Sequence, residues 1–169
     1  MLDSLAHALE VQEEPQDRVH TLLALAEGWA SADTAKAGNY LRQARDLVVA
    51  VDPAPARSAA WRKLGAIASN QGSYRQALHA FLKAQALDQE HGDDSLVIAN
   101  LLSAGNVEMK LDHYDKALDH YLDALRMADR KPFRKSQSMA LCNIGLVHAN
   151  QSRFDEAIRY YRDALAIQE

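Results

Sequence analysis

Cysteine, proline and glycine are scarce in this 169-residue chain, and each shortage narrows the class of protein. Cys142 is the single cysteine, which excludes an intrachain disulfide and a multi-cysteine zinc site and favours a reducing compartment. Only four prolines and seven glycines interrupt a sequence with many alanine and leucine residues. That composition favours helix over strand.

Long apolar runs and a strong net charge are also missing. No stretch reaches the roughly 18 apolar residues of a membrane-spanning helix, and the N-terminal stretch lacks the apolar core of a signal peptide. The net charge of −4 gives no reason to expect a nucleic-acid partner. We therefore expect a cytoplasmic protein that binds neither nucleic acid nor a membrane.

Patterns that would indicate catalysis or metal binding are absent from the sequence. The closest histidine pair, His113 and His120, has no third ligand at the spacing of a zinc site. Cys142 and His148 stand six residues apart, which places them on different faces of a helix and argues against a nucleophile with its base. Neither a phosphate-binding glycine loop nor a GxSxG elbow occurs. We expect no catalytic residue, no metal and no cofactor.

One basic cluster remains to be explained. It surrounds a proline-containing turn and consists of Arg126, Arg130, Lys131, Arg134 and Lys135. The cluster is short and the chain is acidic overall, so it is a weak candidate for nucleic-acid binding. A solvated turn is the simplest interpretation, and contact with an acidic partner comes second.

The stretch "WRKLGAIASNQGSYRQAL", residues 61–78, predicts two helices joined by a turn. Trp61, Leu64 and Ala68 recur at helical spacing, and a second apolar stripe begins at Tyr74. Between them Gly72 can take the positive φ that ends many helices. The segment therefore predicts a helical hairpin.

Gly65 lies in the middle of the first of these helices. Glycine there costs about 1 kcal/mol relative to alanine, so a packing reason is expected. A small residue lets two antiparallel helices approach closely, and Phe81 would fill the space around their crossing.

The hairpin recurs with a period of 40 residues. The columns of this register are Gly65, Gly105 and Gly145; Tyr74, Tyr114 and Phe154; and Phe81, Tyr121 and Tyr161. The register divides the chain into a capping helix at 1–14, a degenerate repeat at 18–57, repeats at 58–97 and 98–137, and a truncated repeat at 138–169.

These repeats resemble the tetratricopeptide repeat, with its Leu-Gly pair, an aromatic residue before the second helix, and alternating small and aromatic residues. The common form has about 34 residues. The longer repeat of this chain is similar to the variant of kinesin light chains, spindle-orientation adaptors and bacterial signalling proteins. The resemblance implies an all-α, right-handed superhelical solenoid whose concave face receives an extended or helical peptide.

The resemblance also implies which residues line that face. They are Leu22, Trp29, Arg62, Leu102, Asn106, Met109, Met139, Asn143, Leu146 and Asn150. Asparagine amides can hold a peptide backbone whatever its side chains, and methionine and leucine add apolar contact. The alternative is that the apolar members only pack between adjacent first helices.

Chaperone-binding members of the family clamp a carboxylate with Lys, Arg and Asn on three successive first helices. The matching positions here gather no two or three cations. They hold Leu22, Ala26, Lys63, Ala99 and Ser103 in one register and Arg62, Ala66, Ser103, Met139 and Asn143 in the next. We expect no clamp of that kind.

At the C-terminal edge, Tyr161, Leu165 and Ile167 have no following helix to cover them. Either the array continues or this edge meets another copy, because solenoids need a polar terminal cap. We expect a non-enzymatic scaffold that binds a protein or peptide, as the interaction or sensory module of a larger signalling protein of the kind found in bacteria. The alternative is a self-associating scaffold, a homodimer through the C-terminal helix.

Overall fold

The structure is a computed structural model that describes residues 2–130 and 133–168. Every regular element among these residues is helical. The helices are α1 Leu2–Val11, α2 Pro15–Trp29, α3 Thr34–Leu47, α4 Ala54–Asn70, α5 Tyr74–Glu90, α6 Asp94–Lys110, α7 Tyr114–Asp129, α8 Arg134–Asn150 and α9 Phe154–Gln168, with a short 3₁₀ segment at Val48–Ala50.

The predicted hairpin at residues 61–78 is confirmed, since α4 ends at Asn70 and α5 begins at Tyr74. Gly72 in the turn has a φ of 73°. Asp112 and Ser152 take the same place in the corresponding turns of the next two hairpins, with φ of 58° and 59°. The turns thus repeat with the period that the sequence predicts.

The chain forms two compact units, one up to Leu87 and one from Asp88. We call them the N-terminal unit and the C-terminal unit. The assignment of residues 1–169 to a single array, with the repeat boundaries given above, stays a prediction.

In the N-terminal unit, α2 packs against α1, α3 and α4. A Cβ atom at Gly28 would lie 2.4 Å from Leu2 Cδ2, so α1 rests closely on α2. Arg18 Nη1 donates to the carbonyls of Leu9 and Gln12 at 3.1 and 2.9 Å. These contacts hold the end of α1 against the start of α2.

In the C-terminal unit, the core lies between α6, α7 and α8. Its buried members include Ile98, Tyr121 and Ile144. At its start, Asn100 Nδ2 donates to the buried carboxylate of Asp88 at 2.7 Å. The cost of burying this carboxylate is thereby reduced, because it accepts a hydrogen bond.

Close helix crossings occur where the repeat register predicts them. A Cβ atom at Gly65 would lie 3.0 Å from the ring of Phe81. At Gly105 the distance to Tyr121 would be 2.4 Å, and at Gly145 the distance to Tyr161 would be 2.7 Å. The packing reason expected for these glycines is confirmed, because each lies directly against an aromatic ring of the second helix.

Candidate functional site

A cavity of about 540 Å³ opens on the C-terminal unit beside α6, α8 and the last turn of α9. Two of the three asparagines that the sequence predicts on the concave face, Asn106 and Asn143, lie in its wall. The lining residues are Asn106, Arg134, Lys135, Ser138, Met139, Cys142, Asn143 and Ile167.

Helix α8 supplies most of the wall because its lining residues recur every four positions. Lys135, Met139 and Asn143 follow one another at this spacing and so share a helix face. Asn106 comes from α6, one residue after the crossing glycine Gly105. The close crossing at Gly105 fixes the position of Asn106 relative to α7.

A hydrogen-bond network orients the Asn106 amide. Tyr121 donates its hydroxyl hydrogen to Asn106 Oδ1 at 2.7 Å, and Asn143 Nδ2 donates to the same oxygen at 3.2 Å. Burial raises the pKa of Tyr121, so its phenol stays protonated and keeps donating. With Oδ1 occupied twice, the Nδ2 group of Asn106 is the part of the amide left to donate to a ligand.

The charge of the cavity wall is positive. Arg134 Nε donates to the carbonyl of Ile167 at 2.9 Å, and Arg134 Nη2 donates to the same oxygen. Arg134 therefore fixes the last turn of α9 against the first turn of α8, while Lys135 beside it is exposed. None of the described residues that line the cavity is acidic, although the chain carries a net charge of −4.

The sequence profile of the tetratricopeptide repeat matches residues 56–130 and 96–169. The chain belongs to the tetratricopeptide repeat family. The Photosystem I assembly protein Ycf3 of Synechococcus elongatus is 30% identical over 129 residues, which cover 70% of this chain and 69% of that protein. Outer dynein arm-docking complex subunit 4 of Danio rerio is 38% identical over 72 residues, 42% of this chain and only 15% of that protein.

Solved structures with low sequence identity share this tetratricopeptide fold. Kinesin light chain TPR-like repeats of Podosopora anserina give a TM-score of 0.79 at 12% identity, covering 99% of this chain and 83% of that one. The apo form of RapI gives 0.75 at 19% identity, covering 98% of this chain and 47% of that one. The predicted family and its all-α solenoid fold are confirmed, and tetratricopeptide proteins act as scaffolds that bind other proteins.

A third structure carries the name of an enzyme. Aspartyl phosphate phosphatase F from Bacillus subtilis gives a TM-score of 0.70 at 16% identity, covering 92% of this chain and 41% of that one. At this identity only the fold is shared. The described residues contain no group of three or more His, Cys, Asp or Glu side chains able to hold a metal ion.

Asn106, Met139 and Asn143, three of the predicted concave-face residues of this tetratricopeptide chain, meet in the cavity. Leu146 and Asn150 lie further along α8, outside the cavity lining. Leu146 is 46% exposed, and Asn150 Nδ2 donates to the Leu146 carbonyl at 2.9 Å.

The structure corrects the prediction for Leu22 and Leu102. Their side chains are 2% and 4% exposed, so they belong to the core and a ligand cannot reach them. Both stand three positions before the crossing position of their hairpin, on the helix edge that meets its neighbours. Met109 is half-buried, and it packs on the core of the C-terminal unit.

Two further predicted residues lie in the N-terminal unit and already have partners there. The ring of Trp29 is half-buried, with Lys36 Nζ 3.7 Å from its centroid. Arg62 Nη1 donates to Ser58 Oγ at 2.8 Å.

Sequence reasoning missed five lining residues: Arg134, Lys135, Ser138, Cys142 and Ile167. The sequence predicts a solvated turn for the basic cluster, but two of its members, Arg134 and Lys135, line the cavity. Arg126 pairs with Asp123, and Lys131 lies outside the described residues. The four-residue spacing of Lys135 from Met139 was the available signal.

Among the described residues, no helix combines the length and the apolar character that crossing a membrane requires.

The residues predicted for self-association divide between two places. Leu165 is 62% exposed on α9, as expected. Tyr161 is half-buried with its ring over Gly145, and Ile167 lines the cavity, so neither lies openly beside Leu165. The exposed apolar neighbours on α9 are instead Phe154 at 63% and Ile158 at 47%.

Proposed function

We propose that this protein is a non-enzymatic scaffold that binds a segment of a partner protein in the cavity of the C-terminal unit. The observation that carries the proposal is the pair of hydrogen-bonded asparagines in a cavity with two cations. Asn106 and Asn143 offer the donors and acceptors that a peptide backbone requires, independent of its side chains.

The apolar part of the wall supports the same function. Met139 and Ile167 are adaptable or apolar side chains that can cover the apolar part of a bound segment. A cavity of about 540 Å³ falls within the range of roughly 300–1,000 Å³ that is usual for ligand pockets. It has room for a few residues of a peptide.

The charge of the wall favours a segment that carries a carboxylate. Arg134 and Lys135 lie in the first turn of α8, so a carboxylate meets two cations and no acidic wall residue. Charge-assisted hydrogen bonds of this kind are about twice as strong as neutral ones. These cations come from the helix start, not from the positions that the family's chaperone clamp uses.

The wider role is part of the proposal. We place the protein in the cytoplasm, which the single cysteine supports, and assign it to the interaction or sensory module of a larger signalling protein. The tetratricopeptide family supports the interaction role, because its members bind other proteins.

The experiment is a selection with two peptide libraries of the same random sequences, one with a free C-terminal carboxylate and one amidated. The proposal expects the free-acid library to yield binders that depend on Asn143, Lys135 and Asn106. Asn143→Ala should weaken binding by about 1 kcal/mol or more. Asn106→Asp keeps the acceptor for Tyr121 but adds a negative charge, and should abolish binding.

The matched control is Asn70→Ala, which removes an exposed asparagine at the end of α4 in the N-terminal unit. It should bind like the native chain. Binders that tolerate Asn106→Asp and Lys135→Gln would show that the cavity is not the binding site.

Self-association is a second candidate function. It is favoured by the exposure of Phe154, Ile158 and Leu165 along α9. A contiguous patch of exposed large apolar side chains often marks a protein–protein interaction site.

A further inference from the structure

We propose that two copies of this chain pair through α9, with the two helices antiparallel about a two-fold axis. The inference rests on the second candidate function, self-association, and names its partner and geometry. The surface concerned is the terminal face, which we define as Phe154, Ile158, Arg162 and Leu165 of α9.

The equivalent face of α7 shows what such a surface packs against. Forty residues earlier, the matching side chains are Tyr114, Leu118, Leu122 and Leu125. There they are partly buried and pack on a core that includes Ala140, Ile144 and Val147 of α8. The face is therefore one on which this fold seats another helix.

On α9 the same positions are open. Phe154, Ile158 and Leu165 are 63%, 47% and 62% exposed, and Arg162 replaces the leucine of α7. Burying large apolar side chains stabilises a contact in proportion to the apolar area removed from water, so this face favours association with a helix.

The spacing along α9 fits a copy of the same helix. Positions 154, 158, 161 and 165 are apolar, in steps of four, three and four, which is the pattern of a seam between two helices. Tyr161, whose ring packs over Gly145, is the half-buried edge of this seam and lies outside the terminal face. Because this pattern is the same in both directions, an antiparallel copy fits in register. Phe154 then lies opposite Leu165 of the second copy, and Ile158 lies opposite the edge of its Tyr161.

Charges beside the seam select the same arrangement. Asp155 and Arg162 are both exposed and lie on the same side of the helix, seven residues apart. In the antiparallel pair, Asp155 of each copy meets Arg162 of the other, so two opposite-charge contacts form. A parallel pair forms neither contact, because residues at one flanking heptad position then lie on opposite sides of the seam.

The contact is small, since one helix face buries less than the roughly 800 Å² per partner of a stable complex. We therefore expect a weak dimer that forms at high protein concentration. Isologous contact about a two-fold axis also limits association to a dimer.

The test is sedimentation equilibrium of the full chain at several concentrations, with two charge variants. In a dimer of Asp155→Arg, both contacts between positions 155 and 162 join two cations. In a dimer of Arg162→Asp, both contacts join two carboxylates. Each variant alone should raise the dimer dissociation constant about tenfold. An equimolar mixture of the two should restore native affinity, because every contact in the mixed dimer again has opposite charges.

Apolar variants with equal exposure provide the control. Phe154→Arg should abolish pairing, whereas Val49→Arg, at a side chain that is also 63% exposed, should leave it unchanged. Circular dichroism confirms that each variant folds.

A native chain that stays monomeric at all concentrations would overturn the inference together with self-association. It would favour a following segment or another protein as the occupant of the face. A dimer that survives both charge variants would overturn the α9 geometry but not self-association. Either result leaves the cavity proposal standing, since that proposal is tested by peptide binding.

Discussion

At Gly105 there is no room for even a methyl group, because a Cβ atom would lie 2.4 Å from Tyr121 Cε1. Gly105→Ala should therefore destabilise the protein by roughly 1–3 kcal/mol, as overpacking does in other cores. The strain also moves the ring whose hydroxyl orients Asn106. Urea unfolding measures the loss.

Gly38→Ala is the matched control, since Gly38 also lies inside a helix, α3. The nearest atom to a Cβ there is Arg42 Nη1 at 3.8 Å, an ordinary contact. Removing a helical glycine without a clash should stabilise the protein by roughly 0.5–1 kcal/mol. The same effect from both alanines would mean that the crossing is not close.

His148 gives a prediction about pH. Its ring is buried and stacks on Tyr160 with centroids 5.2 Å apart. Burial lowers the pKa of His148, and Arg153 and Arg159 lower it further, while Glu156 opposes them. The unfolded chain therefore binds a proton at His148 more readily than the folded one, and stability falls as the pH drops below the unfolded value of about 6.5.

His148→Phe keeps an aromatic ring on Tyr160 but cannot take up the proton. Its melting temperature should fall less than that of the native chain between pH 7.5 and 5.5. Parallel pH profiles for the two proteins would mean that protonation of His148 does not affect folding.

Sequence reasoning predicted the two asparagines of the proposed site but not its two cations. Asn106 and Asn143 were expected on the face that successive first helices share, although the 40-residue register pairs Asn106 with Leu146 and not with Asn143. Arg134 reaches the site through a contact with Ile167, 33 residues away and outside the 40-residue register. Such a contact between helix ends depends on packing, which a repeat pattern does not specify.

At the scale of elements, the turns follow from local chemistry. Gly72 has a φ of 73° and no heavy atom within 4 Å of a Cβ placed there. Gly72→Ala should therefore cost about 1 kcal/mol through backbone strain alone. Comparison with Gly105→Ala by urea unfolding separates strain from overpacking, and an unchanged midpoint for Gly72→Ala would contradict the positive φ.

Helix positions were predictable because 3.6-residue periodicity and turn residues agree in every hairpin. Which residues of a helix are buried was less predictable. Leu102 and Asn106 stand four residues apart on α6, yet the first is in the core and the second faces the cavity. Sequence spacing assigns residues to one face of a helix. Which residues of that face become buried depends on how closely the neighbouring helix crosses it.

For the whole molecule, the repeat register predicted the family and the all-α fold, because each column serves the same packing role in successive hairpins. The location of the proposed binding site does not follow from the register. It depends on the cavity that α6, α8 and α9 form in the C-terminal unit, where Cys142, the single thiol of the chain, lines the wall.

That thiol allows the most direct test of the claim that this cavity binds the partner segment. The rate of alkylation of Cys142 by iodoacetamide is measured with and without a saturating peptide from the free-acid library. The account predicts that the bound peptide slows alkylation in proportion to the occupied fraction, and that the same peptide has no effect on Asn106→Asp. A peptide that binds the native chain tightly but leaves the alkylation rate of Cys142 unchanged would contradict it.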